Sequence, residues 1–253
     1  ASRRDLVTGA SREDMTERFV EGLEKFRKAG KDLYDLPWYL VVGASGAGKT
    51  EAIRHSQLSF PHGLQDKWQG AGGTMDMHWW FTEDAVILDT AGRLLEQSDP
   101  LSAMQWEDFL NLLKSYRTHC PINGMILCIP ADTLIRDNAN EIEEKANRIA
   151  EQLATVQDKL EVRFPVYLVV TKCDLINGFR EFFEQIRDPD LQHQIVGWSN
   201  PQHVDEAFRP DSIEGHFDSI LERLRMRRFA IVQDPRPEDP SMRRIDEVDA
   251  LYD

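Results

Sequence analysis

Cysteine is scarce in this sequence: Cys120, Cys128 and Cys173 are its only three in 253 residues. Three scattered thiols build neither a disulfide framework nor a zinc site, which favours a reducing compartment. Long apolar runs are missing as well. No stretch approaches the roughly 18 residues of a membrane span, and no signal peptide opens the chain. Basic charge is in deficit, with 30 Lys and Arg against 44 Asp and Glu, a net charge of −14. Nucleic-acid binding needs clustered cations against phosphates, so that class is excluded. The seven histidines lie apart, without metal-ligand spacing. What is present is a composition 41% hydrophobic and 29% charged, enough for a packed core. The chain begins at Ala1 with a polar stretch and reads as a soluble piece of something longer.

Apolar spacing divides the chain. In SREDMTERFVEGLEKFRKA, the residues Met15, Phe19, Leu23 and Phe26 recur at helical spacing, with Gly30 as a stop. WYLVVGA then reads as a strand buried on both faces, with a helix over Glu51 to Gln57. In HWWFTEDAVILDTAGR two apolar runs flank Glu83-Asp84, as in a hairpin. Trp106 to Tyr116 reads as a helix, NGMILCIPADTL as a strand running into a loop, and Asn138 to Leu160 as a long charged helix. PVYLVVTKCDL reads as another buried strand, with a short helix over Phe179 to Ile186 and a long loop over Gln192 to Pro210. A helix over Ser212 to Arg228 and a short final strand, RFAIVQ, complete the pattern. The expected domains are an N-terminal helical lead-in (1–30), an α/β domain (31–233) and an acidic, proline-containing extension (234–253). Alternating strands and helices predict a mostly parallel sheet with helices on both faces and one antiparallel edge strand.

Gly43 to Thr50, GASGAGKT, matches G-x-x-x-x-G-K-[ST] between a buried strand and a helix. Gly46 and Gly48 let the backbone curl so that the N–H groups of Gly43, Ala44, Ser45, Gly46, Ala47 and Gly48 line a phosphate cradle, with Glu51 just beyond it. Lys49 reaches the β- and γ-phosphates, and the Thr50 hydroxyl is a ligand for Mg²⁺. The fold expected is therefore a P-loop NTPase of the small-GTPase-like kind. About forty positions on, Asp89-Thr90-Ala91-Gly92 ends an apolar strand. Asp89 is the expected Mg²⁺-associated carboxylate, and Gly92 offers its N–H to a γ-phosphate. Thr171-Lys172-Cys173-Asp174 has the [NT]-K-x-D form that reads guanine. Asp174 would accept from the base, and the stem of Lys172 would lie over the ring. GTP/GDP are the expected nucleotides, with ATP/ADP the alternative.

Three positions depart from the GTPase pattern or stay open. Arg93 follows DTAG where many GTPases place a water-orienting glutamine; it is either a cis arginine finger or the partner of a surface acid. No S-A-[KL]-like loop is visible in AIVQDP. Slow hydrolysis is the consequence. Thr74, after Gly72-Gly73, reads either as a switch threonine on Mg²⁺ or as plain loop. The basic cluster Arg223, Arg225, Arg227 and Arg228 reads as a favourable helix end, and Trp68, Trp79, Trp80 and Trp106 as packing.

LPWYLVVGASGAGKT, GGTMDMHWWFTEDAVILDTAGR, PINGMILCIPADTL and FPVYLVVTKCDLINGFREFFEQI together resemble the cytoplasmic P-loop domain of the IcmF/TssM family. The resemblance runs from about Leu36 to Ile186. It implies a membrane-anchored component of type VI secretion systems, with this segment on the cytoplasmic face of the bacterial inner membrane. The partners it implies are an IcmH/DotU (TssL)-type inner-membrane protein, a TssJ-type lipoprotein reached through a periplasmic region, and baseplate components. Two functions follow: a nucleotide-dependent switch or slow NTPase regulating the trans-envelope complex, or a scaffold whose fold serves docking. An ATP motor is weakened by the T-K-x-D box.

Overall fold

The computed structural model describes residues 15–59, 78–92, 100–186 and 196–233, apart from positions 18, 25, 29, 31, 57, 185, 204 and 205. The chain divides into two compact units, Ala1–Thr171 and Lys172–Asp253.

The first unit is built on a five-stranded sheet ordered β2-β3-β1-β4-β5. β1 (Trp38–Gly43) lies parallel to β3 (Val86–Asp89) and to β4 (Gly124–Pro130), and β4 lies parallel to β5 (Val166–Thr171). β2 (His78–Phe81) pairs antiparallel with β3 at one edge, as the flanked Glu83-Asp84 turn predicts. Strand alternation sends side chains to two faces. Leu40, Val42, Val86 and Leu88 enter the larger core, while Val41 and Ile87 enter a smaller one. The larger core is covered by α1 (residues 15–28), α3 (Pro100–Tyr116) and α5 (Ala139–Leu160). The smaller is covered by α2 (Lys49–Arg54) through Ile53.

The helical spacing of α1 is realised in full, with Met15, Phe19, Leu23 and Phe26 all buried. Phe19 meets Trp79 edge-on at 5.1 Å, and Phe26 stacks on Phe81 at 5.6 Å. Burial of each such large side chain contributes on the order of 1.5–3 kcal/mol. At the opposite end of β1 from the glycine-rich loop, Arg117 is buried between the rings of Tyr34 (4.9 Å) and Trp38 (4.6 Å). It donates to Asn123 Oδ1 at 3.3 Å, and burial lowers its pKa. α5 opens on a capping box in which Asn138 and Glu141 each accept from the other's backbone N–H.

The second unit contains a 3₁₀ turn (Cys173–Leu175), α6 (Phe179–Glu184) and α7 (Ser212–Gln233). Between α6 and α7, the described part of residues 196–211 forms neither helix nor strand, in line with the expected loop.

Three expectations are corrected. RFAIVQ is not a strand: Arg228–Gln233 is the last part of the 22-residue helix α7. Nothing between Arg227 and Phe229 breaks a helix, and a four-residue apolar run fits either period. CIPADTL does not run into a loop, because Ala131–Arg136 forms helix α4 directly after β4. PVYLVVT is a strand but not a buried one. β5 is the sheet's edge, and Val166 to Val170 are 37–60% exposed. Apolar residues on both faces signal a strand that benefits from two covers and do not supply them.

Candidate functional site

The glycine-rich loop leaves the carboxyl end of β1 and turns directly into α2. Gly46 and Gly48 have φ of 71° and 77°, the left-handed region that a side chain disfavours, so the curl depends on them. The Ala47 N–H closes the turn onto the Ala44 carbonyl at 3.1 Å, and the Ala47 side chain is fully buried. Ser45 and Gly46 form the exposed crest.

Lys49 is only 7% exposed. Its ammonium folds back along the loop and donates to the carbonyls of Gly43 (2.9 Å) and Ala44 (3.0 Å). Thr50 donates its hydroxyl to Asp89 Oδ2 at 2.6 Å, joining the first turn of α2 to the end of β3. Burial pushes the Asp89 carboxyl above its usual range, against the pull of the Thr50 hydroxyl, the Lys49 charge, His78 and the Trp80 indole. Cys128, beneath the loop on β4, has its thiol pushed up by burial to about 11. Gly92 lies so close to the loop that a Cβ there would fall 2.2 Å from the Ser45 nitrogen. Thr171, the last residue of β5, donates its hydroxyl to the Ala47 carbonyl at 2.6 Å. Glu51 points away, 60% exposed and paired with Arg54 (2.6 Å) and His55 (3.4 Å).

Gly43 to Thr50, Asp89, Gly92 and Thr171 are thus brought together in the first unit. Lys172 and Asp174 belong to the second. There Lys172 takes a left-handed φ of 56° ahead of the 3₁₀ turn, and Asp174 pairs with Arg180 at 3.2 Å. Thr74 and Arg93 lie outside the described residues. Among the described residues no group of three or more His, Cys, Asp or Glu is arranged to hold a metal ion. A site made of one hydroxyl and one carboxylate suits a hard cation that takes its remaining oxygens from phosphate and water, as Mg²⁺ does.

Two residues escaped the sequence reading. His78 stands opposite Asp89 in the β2–β3 ladder, and Trp80 opposite Ile87. The signal was present: counting outward from Glu83-Asp84 pairs 78 with 89. Thr171 was read as part of a base-recognition box, and its hold on Ala47 was not foreseen.

A buried Lys49, a glycine-rich turn and a hydroxyl–carboxylate pair thus lie together at the carboxyl end of the sheet's parallel strands. The IcmF-related N-terminal domain family matches residues 101–251, more than half of the chain. The chain belongs to this IcmF/TssM family. Over 252 residues it is 32% identical to "Type VI secretion system component TssM1" of Pseudomonas aeruginosa, a match covering 96% of this chain and 22% of that protein. The chain therefore spans about a fifth of the length of the curated relative it matches. The glycine-rich loop and Asp89 precede the family-matched range.

Proposed function

We propose that this domain binds a nucleoside triphosphate with Mg²⁺, GTP before ATP, and hydrolyses it slowly, in a P-loop NTPase-type fold. We infer further that it does so within the inner-membrane component of a type VI secretion system, on the cytoplasmic side. The observation that carries the reading is the convergence of Lys49, Thr50, Asp89 and Gly92 on one glycine-rich loop. Lys49 would exchange its two loop carbonyls for phosphate oxygens, and Thr50 and Asp89 would hold Mg²⁺ directly or through water. The metal would supply charge neutralisation on the phosphates. Thr171 would brace the loop, and the T-K-x-D form of residues 171–174 supports guanine over adenine on sequence grounds. By family kinship, an IcmH/DotU (TssL)-type protein, a TssJ-type lipoprotein and baseplate components are the proposed partners of the longer protein, with regulation of their assembly as the role.

Base reading is tested by equilibrium titration with GDP, GTP, ADP, ATP and the xanthosine nucleotides. The wild type should prefer guanine, and Asp174→Asn should shift that preference toward xanthosine. Equal affinity for every base in both proteins would remove the guanine assignment.

A second reading is a non-hydrolysing scaffold that docks partners. It is favoured by the exposed apolar run on β5. A Lys49→Ala variant that abolished secretion with partner binding and membrane-complex assembly intact would count against it.

A further inference from the structure

None of the described residues of α7 is buried, and Ile213 and Phe217 are 40% and 56% exposed. Its apolar residues nonetheless keep a period. Ile213, Phe217, Ile220, Leu224 and Ile231 fall on one stripe at alternating steps of four and three, with Arg227 filling the remaining place. That spacing is the seam of a two-helix coiled coil. Charge along the helix divides at its midpoint. Glu214, Asp218 and Glu222 lie in the first half, and Arg223, Arg225, Arg227 and Arg228 in the second. The helix dipole accounts for charge in the first and last turns only, so Glu222, Arg223 and Arg225 need another reason. Beside the stripe Trp198 stacks on His216 at 4.4 Å and is itself 38% exposed, which widens the apolar surface.

We propose that α7 is a self-association surface, pairing antiparallel with α7 of a second copy of this chain. Charge complementarity selects that partner and that direction. Parallel helices would set the acidic halves together, the arginine halves together, and Arg227 against its own copy in the seam. Antiparallel helices set each acidic half against an arginine half. With the two-fold axis near Glu222, Ile213 meets Ile231 of the second copy and Ile220 meets Leu224. Arg227 then lies over the ring of Phe217 as a cation–π pair. On the flank Glu214 faces Arg228 of the second copy, and the symmetry makes this contact twice. The one like-charge approach is that of the two Arg223 side chains near the axis. Nucleotide binding is not needed for any of these contacts.

The test is sedimentation equilibrium of the full 253-residue chain carrying Leu168→Lys, so that the exposed β5 edge does not drive association. A monomer–dimer equilibrium at submillimolar concentration is the expected result. Leu224→Asp, in the seam, should abolish the dimer with far-UV circular dichroism unchanged. Glu214→Arg and Arg228→Glu should each raise the dissociation constant on the order of tenfold, because each replaces two attractions by two repulsions. The double variant restores opposite charges and should return it to within about threefold of the starting value. A chain that stays monomeric, a dimer indifferent to Leu224→Asp, or a double variant as weak as the single ones would overturn the proposal. In the first case, protection of the α7 amides from exchange in the monomer would show that the helix is covered within its own chain.

Discussion

Asp89 shows how a single residue is held against its own preference. Burial raises its pKa more than Thr50, Lys49, His78 and Trp80 together lower it, so its charged form is a burden on the folded state. The sign follows from linkage. A carboxyl raised in the folded state favours folding while protonated, and that advantage is lost as pH rises through its folded pKa. Asp89→Asn keeps an acceptor for the Thr50 hydroxyl and removes the charge. At neutral pH the variant should match or exceed the wild type in urea midpoint while losing Mg²⁺ dependence. A large drop in midpoint would mean that the carboxylate is structural. At this scale motif spacing singled out Lys49, Thr50 and Asp89, and the fold brings Thr50 to Asp89 at 2.6 Å. The place of His78 was not legible, because only the strand register puts it across from Asp89. Nor was the Thr171 hold on Ala47 legible, since it joins residues 124 positions apart.

At the scale of elements, α5 and β5 contrast. Only Val156 and Leu160 of α5 are fully buried, both near its carboxyl end, and its first half is exposed. Its opening turns therefore depend on the Asn138–Glu141 capping box more than on packing. Asn138→Ala should cost about 1 kcal/mol, visible as faster amide exchange across residues 139–145 ahead of any global change. β5 has the reverse problem. It pairs with β4 on one side and exposes a run of β-forming residues with no charge from Val166 to Val170. Such an edge favours association. Leu168→Lys, at a position 60% exposed, should leave stability within about 0.5 kcal/mol and reduce concentration-dependent association and binding of an apolar dye. Unchanged dye binding would mean that the apolar surface lies elsewhere. Hydrophobic pattern read correctly the strands that have neighbours on both sides, β1, β3 and β4. It overstated the burial of β5 and took the end of α7 for a strand, because composition states what a segment can bury and only the tertiary arrangement states what covers it.

For the whole molecule, three properties belong together: a net charge of −14, a parallel α/β unit with a glycine-rich loop at the carboxyl end of its sheet, and membership of the IcmF/TssM family. Among the described residues no helix is long and apolar enough to cross a membrane. A strongly acidic surface repels free nucleotide at long range, so binding, where it occurs, must come from the loop itself and from Mg²⁺. The most direct measurement is calorimetric titration of the domain with GTP and ATP, with and without Mg²⁺, beside a Lys49→Ala variant shown to be folded. Mg²⁺-dependent binding that favours GTP and is lost in Lys49→Ala is the expected result. No heat at millimolar nucleotide, or binding indifferent to Lys49 and Mg²⁺, would contradict a phosphate site at Gly43–Thr50 and leave docking as the function of the fold.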